Sequence, residues 1–169
     1  MQIRPIFWAG LLVLAACATA PTSQPVSRSQ SIGWAAGDVK VSVPARLSLS
    51  VGAAPQRGSD IAWQGAISGA PKLFVGRIVE DGALRAVGHL TGARRVILAI
   101  EVQSFQSLGE GSETVLHLQA FDALTGRSVS PPAELRTDIG TGEVGAARAE
   151  EIARKIEADL VRWMGMELS

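Results

Sequence analysis

Cys17 is the only thiol in the chain and follows directly on Leu14-Ala15-Ala16. It has no second cysteine to pair with, and only His89 and His117 could join it as metal ligands, too few for a Cys/His cluster. What remains is its nucleophilic chemistry, the conversion of a thiol into a thioether. The small side chains of Ala15 and Ala16 before it suit a processing enzyme with a narrow binding site. Three further features are chemically suggestive. Gly140-Thr141-Gly142-Glu143-Val144-Gly145 matches the GxGxxG spacing that lets a backbone approach pyrophosphate, and His89 and His117 are candidate general bases.

Each must be set in the element that would hold it. A dinucleotide fingerprint needs a second parallel strand after its helix, with an acidic residue for the ribose, and only 24 residues follow Gly145. Glu143 would also put negative charge where the pyrophosphate belongs. These glycines therefore read as a lead into the last helix, and no nucleotide is expected. His89 falls at the C-terminal end of a helix, where an imidazolium suits the dipole, and His117 falls on the polar side of a strand. Neither has a nucleophile or an orienting carboxylate at a telling distance in the sequence. Glu113 and Asp122 flank a strand too far apart to act as a pair. With no GxSxG, HExxH, P-loop or CxxC pattern, no catalytic, cofactor-binding or metal-binding residue is assigned, and an enzyme is not expected.

The N-terminus explains the thiol better. Arg4 is followed by the apolar run Ile6-Phe7-Trp8-Ala9-Gly10-Leu11-Leu12-Val13-Leu14 and then by small residues. About a dozen apolar residues are too few for a helix that crosses a bilayer, which takes ~20, and the order of charge, apolar run and small residues is that of an export signal. Leu14-Ala15-Ala16-Cys17 resembles the lipobox of bacterial lipoproteins. That resemblance implies cleavage before Cys17, with Leu14, Ala15 and Ala16 read by the signal peptidase, and lipidation of Cys17 itself. Two or three acyl chains, at ~0.8 kcal/mol per buried methylene, would make the attachment durable. The alternative is an ordinary secretory signal cut after Ala18 or Ala20, since both sites satisfy the small-x-small rule. By resemblance to enteric lipoproteins, the absence of aspartate at position 18 points to the outer membrane, with the protein facing the periplasm.

Composition is compatible with that placement. The 169 residues are 47% hydrophobic and 19% charged, which is globular, and the sixteen basic and sixteen acidic residues cancel. Removal of Arg4 with the signal would leave about −1, so nothing in the net charge attracts nucleic acid. The expected organisation is a signal peptide at 1–16, a lipidated cysteine and flexible Thr/Ser/Gln/Pro-rich tether at 17–37, and a single globular domain at 38–169. About 130 residues suffice for a core without disulfides.

Within the domain, Val39, Val41, Val43, Leu47, Leu49 and Val51 share one parity and predict a half-buried strand that Pro44 confines to an edge or splits. Asp60 to Gly65 is a short extended piece. A helix is expected over about 71–90, with Pro71 in its first turn and Phe74, Val75, Ile78, Val79, Ala83, Ala86, Val87 and Leu90 on one stripe. Two strands, 95–105 and 113–122, form a hairpin around Gly109-Glu110-Gly111, with Glu101, Gln103 and Phe105 on the solvated face of the first. A further strand starts at Arg127, is interrupted by Pro131-Pro132, and resumes at an edge over 134–139. Ala149, Ile152, Ala153, Ile156, Leu160, Trp163 and Met164 mark a final amphipathic helix, with Glu150/Arg154 and Glu151/Lys155 paired on its exposed side. The predicted fold class is α+β, an antiparallel sheet of three to five strands with two helices packed on one face.

The segment from Val43-Pro44 to Asp60-Ile61-Ala62-Trp63-Gln64-Gly65, with the helix, hairpin and terminal helix after it, resembles an uncharacterised family of small Gram-negative lipoproteins. In element order it also resembles small envelope lipoproteins that assist lipopolysaccharide export or lipid-transporting ABC systems. The implied function is a non-enzymatic binding or accessory module, held at the membrane by its lipid and facing the periplasm, with an envelope protein as partner. The alternatives are a structural envelope lipoprotein without a specific ligand and a hydrolase. Trp34 and Trp63, lying outside strong periodic elements, are the candidate partner contacts.

Overall fold

A computed structural model describes residues 25–142 and 145–167, so Leu14, Ala15, Ala16, Cys17 and Glu143 lie outside the described residues. Six strands, β1 (Trp34–Ser42), β2 (Leu49–Gly52), β3 (Ile61–Gln64), β4 (Arg94–Leu108), β5 (Gly111–Asp122) and β6 (Ala133–Ile139), form one sheet. The helices are α1 (Arg28–Ser31), α2 (Pro71–Gly88) and α3 (Ala146–Trp163).

The sheet is mixed, which corrects the expectation of a purely antiparallel one. β4 pairs antiparallel with β5, and β5 antiparallel with the edge strand β6. On its other side β4 carries two strands end to end, both parallel to it: β1 along Arg94–Glu101 and β3 along Phe105–Ser107, with β2 parallel outside β3. The cause is α2. A helix between β3 and β4 carries the chain back to the starting end of the sheet, so the next strand runs parallel to the last, where a hairpin would have reversed it. Pro44 does split the alternating run: β1 stops at Ser42 and β2 begins at Leu49. The β2–β3 connection is held by Ser48 and Asp60, whose backbone N–H groups each donate to the other's side-chain oxygen at 2.8 Å.

The core lies between one face of this sheet and the pair α2 and α3. Val96, Leu98, Ile100 and Val102 of β4 and Leu116, Leu118 and Ala120 of β5 are all buried beneath the apolar stripes of the two helices. Gly82 is where the helices touch, because a Cβ there would come within 2.5 Å of the Ala153 carbonyl oxygen. The cost of glycine in a helix interior, up to ~1 kcal/mol, is accepted for that approach.

Two further expectations are revised. Gln103 is an extra residue in β4, where the register with β5 shifts between Val102 and Ser104. A bulge reverses the parity beyond it, so Phe105 faces the core, fully buried, and does not share the face of Glu101. The expected boundary between tether and domain at 37/38 falls inside β1. The chain is already part of the domain at Val26, which is buried and donates its N–H to the Trp163 carbonyl at 2.7 Å, and the short helix α1 follows. Polar composition concealed this because, among the described residues 25–37, only Val26, Ser31 and Trp34 are buried. None of the helices among the described residues is long and apolar enough to cross a membrane.

Candidate functional site

Among the described residues, the second face of the sheet carries no helix. Its central strands present Ala99 and Glu101 from β4, and His117, Gln119 and Phe121 from β5, with Lys40 and Ser42 of β1 on one side and Pro132 on the other. Together they line a shallow depression of about 410 Å³. Its position follows from register. Ala99 faces Gln119 across the β4–β5 ladder, and Glu101 faces His117, so a small residue forms the floor and larger ones the walls.

The walls are charged and mutually engaged. Arg46 donates to Glu101 Oε1 at 2.9 Å, and the Gln103 amide donates to the same oxygen at 2.9 Å. The Arg46 guanidinium first, then the Gln103 amide, hold the Glu101 carboxyl below the ordinary carboxylate range. On the other side of the depression His117 Nε2 lies 3.4 Å from Glu134 Oε2 of β6. Lys40 is exposed at the rim and makes no ion pair among the described residues. The apolar part is Phe121, Ala99 and the exposed Pro132, the end of the depression nearest the start of β4.

The two histidines have carboxylate neighbours that sequence distance concealed. His89 lies 2.9 Å from Glu157 of α3, and His117 faces Glu134. A carboxylate beside an imidazole is one half of a nucleophile-activating arrangement, and the other half is a hydroxyl or thiol bonded to the far ring nitrogen. The hydroxyl closest to His117 in register belongs to Ser42, next to Glu101, and it donates to the Ile100 carbonyl at 3.3 Å. Among the described residues no group of three or more His, Cys, Asp or Glu side chains is arranged to hold a metal.

The tryptophans require correction. Trp34 and Trp63 are 2% and 1% exposed, so neither can be a contact residue on the surface. Trp63 packs edge-on against Phe74 at 4.9 Å and stacks with Phe105 at 6.1 Å between ring centroids. Trp63 sits in a strand of four residues, too short for a periodic signal, and Trp34 opens β1 ahead of the alternating valines that mark that strand.

The glycine-rich segment before α3 has a different use. Arg148, in the first turn of α3, is 1% exposed. It donates to the Gly140 carbonyl at 2.6 Å, the Ser112 hydroxyl at 2.8 Å and the Glu151 carboxylate at 2.8 Å. A Cβ on Gly142 would lie 2.8 Å from its guanidinium. The segment thus closes around a buried cation and joins the end of β6 to α3. β6 is an antiparallel edge strand, so this is not the βαβ unit that a dinucleotide fingerprint requires.

These features define a class: an α+β domain built on one mixed six-stranded sheet, with a helical pair on one face and a charged, partly apolar depression on the other. Residues 34–166 match the model of DUF6778, a family of unknown function, and the chain belongs to that family. No curated protein matches the chain. Among solved structures it is similar to a Xanthomonas campestris protein of the DUF330 family model, at 17% identity and a TM-score of 0.43, covering 86% of this chain and 89% of that one. It is also similar to the PelC dodecamer from Paraburkholderia phytofirmans, at 11% identity and a TM-score of 0.41, covering 82% and 92%. A candidate lipoprotein of Caulobacter crescentus CB15 is similar at 20% identity and a TM-score of 0.32, covering 63% and 91%.

Proposed function

We propose that the protein is a lipid-anchored accessory module of the cell envelope, facing the periplasm, whose open sheet face receives an envelope protein partner. Leu14-Ala15-Ala16-Cys17 supports the anchor: Cys17 is the sole thiol and stands at the end of an apolar run too short to span a bilayer. The outer membrane is the destination in this reading, from alanine at position 18.

The open face carries the binding half of the proposal. Phe121, Ala99 and Pro132 offer an apolar centre, and Lys40, Glu101, His117 and Gln119 offer a polar rim. That mixture fits a partner that binds and leaves better than a permanent subunit, whose interface would resemble a bisected core. The module is non-enzymatic in this reading, since the hydroxyl of Ser42 is directed to a backbone carbonyl and not to His117.

Two measurements test the proposal. The intact mass of the protein purified from membranes should correspond to a chain beginning at Cys17 with acyl chains added. A mature chain that begins beyond Cys17, or one with a free thiol, contradicts the anchor. Co-purification from detergent-solubilised envelope should bring one stoichiometric partner with the wild type and lose it with Phe121→Ser. Equal retention by the two proteins contradicts the binding face.

A further inference from the structure

One end of the domain combines the entry of the chain with an unusual surface. Val26 is bonded to Trp163, the Gly33 carbonyl accepts from Arg94 N–H at 2.8 Å, and Ala123 N–H donates to the Arg95 carbonyl at 2.9 Å. Through these contacts the first described residues, the start of β4, the end of β5 and the end of α3 all meet at this end. β4 has 15 residues, about 50 Å at ~3.3 Å per residue, so the β4–β5 turn at Gly109-Glu110 lies far away.

The two most exposed large apolar side chains of the described residues both lie at the entry end: Leu124, at 93%, lines one hollow with Ala93, Arg94 and Arg95, and Ile32, at 65%, precedes Gly33, whose carbonyl accepts from Ala93 and Arg94 N–H. Leu124 is held out by a built turn. The Asp122 carboxylate accepts from Leu124 N–H at 3.0 Å, Thr125 N–H at 2.7 Å, the Thr125 hydroxyl at 2.9 Å and Arg94 Nε at 2.6 Å. Arg28, Arg95 and Arg127 are exposed and make no ion pair among the described residues. The nearby acids Asp122 and Asp159 are committed to Arg94 and to Lys155 and Arg162, and the exposed carboxylates at this end are Asp38 of β1 and Glu167 of the C-terminal segment.

Between Cys17 and Pro25 there are eight residue steps, which in any conformation reach at most about 29 Å. We infer that this end lies on the bilayer, with Leu124 and Ile32 in the headgroup region and Arg28, Arg95 and Arg127 against anionic lipid phosphates. The inference rests on the anchor proposed above. A basic residue near an anionic membrane contributes attraction, and an exposed leucine at the tip of a fixed turn can enter the interface without any rearrangement of the domain. The open sheet face then rises from the membrane surface, with Phe121 at its membrane-proximal end, and stays open to a partner.

The test places a spin label on the full-length, membrane-processed protein. Acylation consumes the Cys17 thiol, so Leu124→Cys and Glu110→Cys each provide the only free thiol in the chain. The labelled proteins are reconstituted into vesicles of equal parts phosphatidylcholine and phosphatidylglycerol. Their relaxation by oxygen, which enters lipid, is compared with that by a water-soluble nickel chelate. The label at 124 should shift toward oxygen and the label at 110 toward nickel. Reversing Arg95 and Arg127 together, as Arg95→Glu and Arg127→Glu, should return the label at 124 toward water. Equal nickel accessibility at both positions in a protein whose mass shows the acyl chains would overturn the orientation alone. A mass without acyl chains would overturn the anchor on which it rests.

Discussion

The two faces of the β4–β5 hairpin come from the same two strands, yet they are made of different materials. One presents Leu98, Ile100, Leu116 and Leu118, each at most 2% exposed, to the helices α2 and α3. The other presents Ala99, Glu101, His117 and Gln119, half-buried by their neighbours and covered by no helix among the described residues. The pleat separates them by a single residue step. The covered face therefore carries stability, and the open face can change its chemistry at little cost to the fold. Truncations on the two faces should differ accordingly.

The largest effect is expected on the covered face. Leu116→Ala removes a fully buried side chain from the centre of the core and should cost about 2–5 kcal/mol in urea unfolding. Arg148→Met comes next, at about 2–3 kcal/mol, because it leaves the Gly140 carbonyl and the Ser112 hydroxyl without their charged donor. On the open face, Phe121→Ser should change stability by within about 0.5 kcal/mol while abolishing partner retention. If Phe121→Ser destabilised as much as Leu116→Ala, the division between the faces would fail.

Acid sharpens the same comparison through Asp122. Its carboxyl is held well below the ordinary carboxylate range, first by Arg94, then by the Thr125 backbone and hydroxyl. The folded value is depressed, so the stabilisation is fully present above the unfolded carboxylate value near ~4 and is lost as pH falls through the folded value. Asp122→Asn should therefore be less stable than the wild type at neutral pH, and the two unfolding curves should converge in acid. A gap that stays constant from pH 7 into acid would mean that ionisation of Asp122 contributes nothing.

The sequence announced the parts that depend on local periodicity. α2 and α3 were legible from their stripes, starting as they do near Pro71 and Gly145, and so were the split of the first alternating run at Pro44 and the β4–β5 hairpin. Pairing direction was not. β3 has four residues, too few to show that a helical crossover would make it a parallel neighbour of β4. The bulge at Gln103 reversed the parity of Phe105, and nothing in the surrounding residue types marks an inserted position. The burial of Trp34 and Trp63 is hidden for a related reason, since burial by distant elements leaves no local trace.

The candidate site was half legible. His117, Gln119, Glu101 and Gln103 could be placed on the polar face of their strands, but not brought together with Lys40, Ser42 and Pro132, which depends on the parallel addition of β1 and the return of β6. One further signal lies in the sequence. Arg148 lies four residues before Ile152 on the apolar stripe of α3, and a charge at a core position predicts a buried partner set.

Photo-crosslinking in intact cells tests the open face most directly. A benzophenone side chain in place of Phe121 should yield one discrete protein adduct, and the same group in place of the exposed Leu84 of α2 should yield none. Adducts from position 84 with none from position 121 would contradict the assignment of the uncovered sheet face as the partner surface.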